Sequence, residues 1–374
     1  MLSILFTLDY EIHGDGRGDP RELMVEPTGR LLDELERYGL KLTIMADVAE
    51  ICKFKEYAEQ SGSDRFHYRE IAQQLQEAVR RGHDVQLHLH PSYFNARFVG
   101  DQWAQEWSEY NFADLPLEKA QGYVKLGKEY LEALLTPARQ DYACVAFRAG
   151  NWAMQPSQAP IAALVANGLK IDTSVFRFGK RTGRVSVDYA SAPRGPIPWR
   201  ADAAEICRPN PGGPIWEMPI YSEARTLASF LAPGRIRRLI GSHFRESEFD
   251  PLAGLTSPSK RTFSLAPKTY AWKADFNQCT SGQLKRALKR AEQLCAGRKW
   301  GAFVLIGHSK LYDRMNQRGL RRFLEFCASH PIRFQPGTAA SSLGFLAELD
   351  KEAPQATAER APAQALTTSA QQRP

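Results

Sequence analysis

Two runs, Phe6-Thr7-Leu8-Asp9-Tyr10-Glu11 and Gly82-His83-Asp84-Val85-Gln86-Leu87-His88-Leu89-His90-Pro91, carry two carboxylates and two imidazoles at i,i+2 spacing. Side chains alternate faces along a β-strand, so Asp9 and Glu11 point one way while Leu8 and Tyr10 point the other. The same rule sets His88 and His90 together, opposite Leu87 and Leu89. Carboxylate oxygens and imidazole nitrogens gathered this way can converge on one divalent cation, zinc or an ion like it, as in a metallohydrolase. Taken singly, each pair has an ordinary explanation: H-x-H can hydrogen-bond at a strand end, and D-x-E is often a solvated terminus. Taken jointly they are more informative, because both sit where a β/α fold places its chemistry.

Those positions depend on alternating elements. Leu2 to Leu8 reads as a strand, Thr28 to Tyr38 as a helix stopped by Gly39, and Lys41 to Ala46 as a strand. An amphipathic helix from Tyr68 to Arg81 ends at Gly82, and Asp84 to Leu89 forms the next strand. A helix over Leu117 to Leu135, a strand over Asp141 to Phe147, a helix over Ser157 to Asn167 and a short strand over Leu169 to Asp172 follow. Repeated βα units imply a parallel sheet, closed into a barrel or doubly wound. From Phe176 to about Lys268 the sequence becomes rich in Pro, Gly and Arg, with one barrel-like strand at Ile215 to Ile220 and a helix around Arg235 to Ser242. Order returns with a helix over Ser281 to Ala296, a strand over Gly301 to Ile306, a helix over Leu311 to Ser329 and a strand over Ile332 to Gln335. The expected organisation is one domain over residues 1–350 with an irregular insertion at about 177–268. Residues 351–374, rich in Ala, Pro, Gln and Thr, form a disordered tail.

Strand carboxyl ends make the active face of an α/β barrel. Beyond the two pairs, Arg148 in Phe147-Arg148-Ala149-Gly150-Asn151-Trp152, Asp172 in Asp172-Thr173-Ser174 and His308 in Ile306-Gly307-His308-Ser309 fall at such ends. No G-x-S-x-G elbow, P-loop or G-x-G-x-x-G is present, which argues against a serine hydrolase, an NTPase or a dehydrogenase.

Bulk properties narrow the class further. The chain of 374 residues with 43% hydrophobic content can bury a large α/β core. It has no apolar run of 18 residues, so no membrane-spanning helix is expected. Met1 to Leu8 is too short for a signal-peptide core and reads as the first strand of the mature protein. Six cysteines are scattered without a C-x-x-C pair, which fits a reducing, cytoplasmic setting. The net charge of +7 is modest, with Lys and Arg concentrated after residue 230, from Arg235 and Arg237 to Arg298 and Lys299. That reads as a solvated basic surface, or as a contact for anionic lipid headgroups or a phosphorylated substrate. No nucleic-acid-binding module is recognised.

The order of these motifs resembles the NodB-like polysaccharide deacetylases, carbohydrate esterase family 4, and within them the WalW-like proteins of lipopolysaccharide biosynthesis. The resemblance runs from about Leu2 to Ala340 and leaves out the loops between Phe176 and Lys268. It implies an α/β fold of the NodB-homology type, a distorted barrel of about seven parallel strands. Thr7-Leu8-Asp9-Tyr10 matches the family's T-F-D-D-like run, which implies a general-base role for Asp9. The family's metal-ligand Asp falls on Tyr10, so the ligand role moves to Glu11 on the face of Asp9. Gly82-His83-Asp84-Val85-Gln86-Leu87-His88 matches the second motif, whose last His falls on Ser92; His90, on the face of His88, replaces it. By the same resemblance Arg148 orients the base, and His308, braced by Asp172, protonates the leaving amine. Tyr93, Trp152 and Trp216 would stack on sugar rings, while His83 is structural.

The implied activity is metal-dependent removal of N-acetyl groups from a saccharide, phosphorylated and lipid-linked forms included. A contrasting reading is a barrel that has lost its metal and serves as a saccharide-binding or assembly subunit. An amidohydrolase barrel ranks lowest, since there the H-x-H ends the first strand and here it ends the third.

Overall fold

Nine consecutive residues, Leu2–Tyr10, form β1, and every one of them is buried. Both faces of the strand are covered, so its polar side chains Ser3, Thr7 and Asp9 are buried as fully as its apolar ones. The computed structural model describes residues 1–230, 269–331 and 333–352. Helix α1 (Glu26–Glu36) follows β1, then β2 (Leu42–Asp47), α2 (Val48–Ser61), α3 (Tyr68–Arg80) and β3 (Asp84–Leu89). A small hairpin, β4 (Arg97–Val99) and β5 (Gln102–Ala104), leads to α4 (Leu117–Leu135), β6 (Ala146–Ala149), α5 (Gln158–Ala166) and β7 (Ile171–Asp172).

Short strands come next: β8 (Lys180–Arg181), β9 (Val187–Asp188), β10 (Trp199–Asp202), β11 (Glu205–Pro209), β12 (Ile215–Glu217) and β13 (Ser222–Thr226). After β14 (Thr269–Lys273) the chain returns to α6 (Ser281–Leu294), β15 (Gly301–His308), α7 (Arg314–Ala328), β16 (Phe334–Gly337) and α8 (Ser342–Glu352). Capping boxes fix the starts of two helices, Thr280 with Gln283 on α6 and Asp313 with Asn316 on α7.

Seven strands run parallel in the order β12–β7–β6–β3–β2–β1–β15, and β16 joins β1 in parallel off this path. Just past β12, Ile220 bridges Val304 of β15 in parallel, so the sheet curls round on itself. The fold is the distorted α/β barrel expected from the motif order. β1 is shared: its first half pairs with β16 and its second half with β2, while β15 runs along its other edge. β10 and β11 extend the sheet antiparallel beyond β12.

Several local expectations change. α2 was absent from the periodicity reading. It starts at Asp47, which makes no side-chain cap bond, and is anchored by buried Val48, Ala49, Ile51 and Phe54 before Gly62 ends it in a left-handed turn. The strand expected from Asp141 begins at Ala146, where Gln86 Oε1 accepts the backbone N–H of both Val145 and Ala146 at 2.8 Å. The insertion contains more order than its Pro and Gly content suggests, with β8–β9 and β13–β14 pairing antiparallel. The helix expected at Arg235 to Ser242, and most of the basic run after residue 230, lie outside the described residues. α8 enters the first two residues of the segment read as a tail, and 353–374 lie outside the described residues.

His83 is structural. It is fully buried, accepts the Leu42 N–H on Nδ1 at 3.0 Å and faces Glu36 Oε1 with Nε2 at 3.0 Å, so the neutral tautomer carries its proton on Nε2. Arg81 grips the same Glu36 carboxylate at 2.9 and 2.6 Å. Burial pulls the His83 pKa from the usual 6.5 to about 4, against the hydrogen bond to Glu36. A histidine depressed in the folded state favours folding above its unfolded pKa, and that contribution disappears as pH falls through the folded value. We therefore expect stability to decline between pH 6.5 and 4 and the decline to flatten in His83→Gln, as read from urea midpoints across that range.

Candidate active site

Strand register brings the chemistry together. Asp9 lies opposite His308 across β1 and β15, Asp47 opposite His88 across β2 and β3, and His88 opposite Arg148 across β3 and β6. Asp172 lies opposite Glu217 across β7 and β12. Parallel neighbours in register project their side chains to the same side, so all of these belong to one end of the sheet interior.

Arg148, fully buried, is the hub. Its Nη1 donates to Asp9 Oδ1 at 2.6 Å, Nη2 to Thr7 Oγ1 at 2.9 Å, and Nε to the Thr173 carbonyl at 2.9 Å. Its own carbonyl sits 2.8 Å from His88 Nδ1 and so accepts that N–H. This leaves His88 Nε2 directed at Glu11 Oε2, 3.4 Å away, while His90 Nε2 lies 2.9 Å from the same oxygen. The donor atoms of Glu11, His88 and His90 lie within 4.8 Å of one another, and among the described residues they are the group that could hold a metal ion. The donor chemistry fits zinc or a similar ion, with a backbone carbonyl fixing the His88 tautomer from behind. Gly150 leaves room for this: a Cβ there would lie 2.6 Å from the Leu89 carbonyl oxygen and 2.9 Å from His90 Nδ1.

Charge is sorted sharply around the site. Burial raises the Glu11 pKa, but Lys310, 3.0 Å from Oε1, and the two imidazoles pull it well below the usual range. Burial likewise works against ionised Asp9, yet Arg148, His88 and His308 hold its pKa below the ordinary value. His88 goes the other way: the carboxylates around it outweigh burial and lift it to about 9. His308 Nε2 lies 3.5 Å from Asp9 Oδ2 and 3.9 Å from Glu11 Oε1, and burial depresses its pKa despite those neighbours.

Asp9, Arg148, His308, Glu11, His88 and His90 therefore meet, and the face rule for each i,i+2 pair is realised. Tyr10 points away, its hydroxyl on Gln74 Oε1 at 2.8 Å. Ser92, at the position of the second family His, is tied to Gln105 Oε1 at 2.7 Å.

The bracing of His308 by Asp172 needs correcting. Asp172 accepts from the Ser174 hydroxyl at 2.8 Å and its N–H at 3.1 Å and lies against Glu217, so it serves the strand ends behind Arg148. Asp9, Glu11, Lys310 and Asp275 act on His308, and Asn277 Oδ1 accepts its backbone N–H at 2.6 Å. The aromatic assignments also change. Tyr93 and Trp216 are buried, Tyr93 with its hydroxyl on the His13 carbonyl and Trp216 beneath the Arg200 guanidinium. Trp152 stands at the site, edge-on to His308 at 5.9 Å, but the Lys273 ammonium lies 3.3 Å from its ring centre. A cation thus lies over the Trp152 ring.

Lys310, Asp47, Glu50 and Glu217 escaped the sequence reading. Lys310 is two residues past His308, and Asp47 ends a strand as Glu11 nearly does, so extending the strand-end rule would have found both. Asp47 Oδ1 accepts the His90 N–H at 3.2 Å, and Glu50 Oε2 accepts the Ile12 N–H at 3.0 Å.

No protein-family model matches the sequence, and neither does any curated protein. Solved structures do. A candidate polysaccharide deacetylase from Mycobacterium smegmatis is 15% identical, with 100% of this chain and 94% of that one covered and a TM-score of 0.46. A 4-alpha-glucanotransferase from Thermococcus litoralis is 13% identical at a TM-score of 0.51, covering 92% of this chain and 40% of its own. The allantoinase PuuE is 13% identical at a TM-score of 0.46, covering 91% and 88%. At these identities the likeness bears on fold alone. The chain spans two fifths of the glucanotransferase, the structure of the three with the highest TM-score.

Removing one partner of a buried ion pair leaves the other charge uncompensated. Arg148→Met should therefore lower stability by about 3–5 kcal/mol, measured by urea unfolding. Adding Asp9→Leu to that variant should recover part of the loss.

Proposed function

We propose that the chain is a metal-dependent hydrolase that removes N-acetyl groups from a saccharide. The observation that carries this is one interior in which a Glu11–His88–His90 donor set adjoins an Arg148-held carboxylate and a histidine, Asp9 and His308. The resemblance to NodB-like deacetylases in motif order supports the same reading. It also motivates a finer one: a WalW-like role in lipopolysaccharide biosynthesis, a cytoplasmic location and a phosphorylated or lipid-linked substrate that could bring the chain to an anionic membrane surface. None of the described helices is long and apolar enough to cross a membrane. One deacetylase-like domain over 1–350 is part of the proposal.

Glu11, His88 and His90 would hold the ion, which when bound supplies Lewis acidity toward a carbonyl oxygen and acidifies water. Asp9, kept ionised and aimed by Arg148, takes the proton of the attacking water. Burial disfavours the protonated form of His308, which must be loaded with a proton before it can act as an acid. Asp9 Oδ2, 3.5 Å from its Nε2, is the nearest source of that proton. The leaving amine then receives it from His308, and the products are acetate and an amino sugar. One observation favours the contrasting reading, a metal-free saccharide-binding barrel: the Lys310 ammonium already lies against Glu11 Oε1 and balances its charge without an ion.

Metal retention separates the two. Protein loaded with zinc and dialysed should keep one ion, and His88→Ala should lose it; wild-type protein that keeps none is the binding barrel. Asp9→Asn should retain the metal while acetate release from N-acetyl sugars falls by at least ~10²-fold, the lower range for loss of a general base. Glu11→Gln should bind metal more weakly and regain part of its activity in excess metal. The opposite pattern in a metal titration would exchange the roles of the two carboxylates.

A further inference from the structure

The outer faces of α6 and α7 carry a charge that the chemistry of the interior does not use. Residues 281–333 hold twelve Lys and Arg against three acids, Glu292, Asp313 and Glu325, an excess of nine where the whole chain has +7. The three acids are engaged: Glu292 pairs with Arg333 at 2.7 Å, Asp313 caps α7, and Glu325 Oε1 accepts the Tyr38 hydroxyl at 3.5 Å. The two helices stand side by side, with the Lys285 and Lys289 ammoniums of α6 5.2 and 5.7 Å from the ring centre of Phe326 on α7.

Helix spacing sorts the remaining cations to the outside. Leu320, Phe323, Leu324 and Cys327 bury the inner stripe of α7, while Arg314, Arg318 and Arg322, four residues apart, run along the opposite stripe and are all exposed. Arg321 leaves this row and turns to Glu34 at 2.7 and 2.9 Å. On α6, Leu284, Ala287, Leu288 and Ala291 face inward, and Arg286 and Lys289 are exposed with Lys285 half-buried beside them. Arg286, Arg314, Arg318 and Arg322 form no ion pair with a carboxylate among the described residues.

The pattern differs from that of the other exposed helices. On α2 and α4 the i,i+4 spacing joins opposite charges, Lys55 with Glu59, Lys125 with Glu129 and Lys128 with Glu132. On α6 and α7 it joins like charges, Lys285 with Lys289, Arg286 with Arg290, Arg314 with Arg318 and Arg318 with Arg322. Like pairs at this spacing destabilise a helix, each a little, and an extended anionic surface laid along both rows removes that repulsion. A bilayer with anionic headgroups is such a surface, and its attraction grows with each Lys or Arg brought close. Met315, 45% exposed and next to Arg314, adds an apolar side chain of the kind that the headgroup–acyl boundary takes up. A nucleic acid fits less well: Phe326, where the helices meet, already engages two ammoniums, whereas stacking on bases needs an open ring face.

We propose that Lys285, Arg286 and Lys289 of α6, with Arg314, Arg318 and Arg322 of α7, dock the chain on an anionic phospholipid surface. Both helices begin at the end of the barrel that carries the site: α7 opens six residues after His308, and α6 opens after Asp275, which bridges Ile306 of β15. A docked chain therefore holds that end near the headgroups. The docking rests on the membrane-contact part of the proposed function and requires neither a metal nor hydrolysis.

Sedimentation of the full chain with vesicles tests it, using phosphatidylcholine alone and phosphatidylcholine mixed with phosphatidylglycerol. The chain should bind the mixed vesicles roughly tenfold or more tighter than the neutral ones, and added salt should erase the difference. Arg318→Gln/Arg322→Gln and Arg286→Gln/Lys289→Gln should each weaken that binding severalfold with little change in melting temperature. Arg69→Gln/Arg97→Gln, which removes the same charge from α3 and β4, should leave it in place. Equal binding to both vesicles, binding to neither, or an equal loss in all three variants overturns the proposal. Tighter binding to duplex DNA than to vesicles, lost in the α6 and α7 variants, assigns the face to another partner and overturns it too. Acetate release from soluble N-acetyl sugars should be the same in the α6 and α7 variants as in the wild type. If the wild type releases none while anionic vesicles still bind through these residues, the hydrolase reading falls and the docking face stands.

Discussion

A guanidinium with no access to water governs the interior of this barrel. Arg148 cannot shed its proton, so the fold must surround it with acceptors, and it does so with Asp9, Thr7 and Thr173. Those partners come from β1 and from the end of β7, on opposite sides of β6. Satisfying one side chain thus fixes how three strand ends stand relative to each other. Because the Arg148 carbonyl also receives His88 Nδ1, the same residue sets the orientation of a proposed ligand.

The acids of the interior divide into two classes under this constraint. Asp9 and Glu11 face cations and stay charged. Asp47, Glu50, Asp172 and Glu217 are also buried, and desolvation pushes them toward the protonated form; Glu50 and Glu217 face further carboxylates, while the imidazoles of His90 and His88 partly offset burial at Asp47. Glu217 and Asp172, side by side in register, cannot both ionise cheaply, and a proton shared between them resolves the conflict. Nearby cations thus favour the ionised form at Asp9 and Glu11, while burial disfavours it at the other four.

Much of this was legible in the sequence, for identifiable reasons. The i,i+2 rule alone put Asp9 with Glu11 and His88 with His90, because strand geometry leaves no other option once the strand ends are known. Helices with clear apolar stripes, such as Leu117–Leu135, were found at their observed bounds. What stayed hidden depended on contacts between distant segments. Nothing in Asp172-Thr173-Ser174 reveals that its carboxylate turns to Ser174 and Glu217 and leaves His308 to other groups. Nor does Trp152 announce that an ammonium from a strand some 120 residues later covers its face. Short strands such as β8 and β13 lack enough residues to show a period, so composition concealed them.

The position of β1 has a consequence for the order of assembly. This first strand is flanked by β15 and β16, the last two, and its Thr7 hydroxyl bonds to the Leu305 carbonyl across a separation of 298 residues. As the chain leaves the ribosome, the segments bearing Glu11, His88 and His90 emerge well before β15 and can pair through β1, β2 and β3 alone. One edge of β1 must then wait, uncovered, until β15, which starts at Gly301, has been made. His308 and Lys310 arrive with the strand that finally covers it. The nascent protein thus completes its proposed ligand set before its proposed acid arrives, and β1 keeps one backbone edge exposed until then.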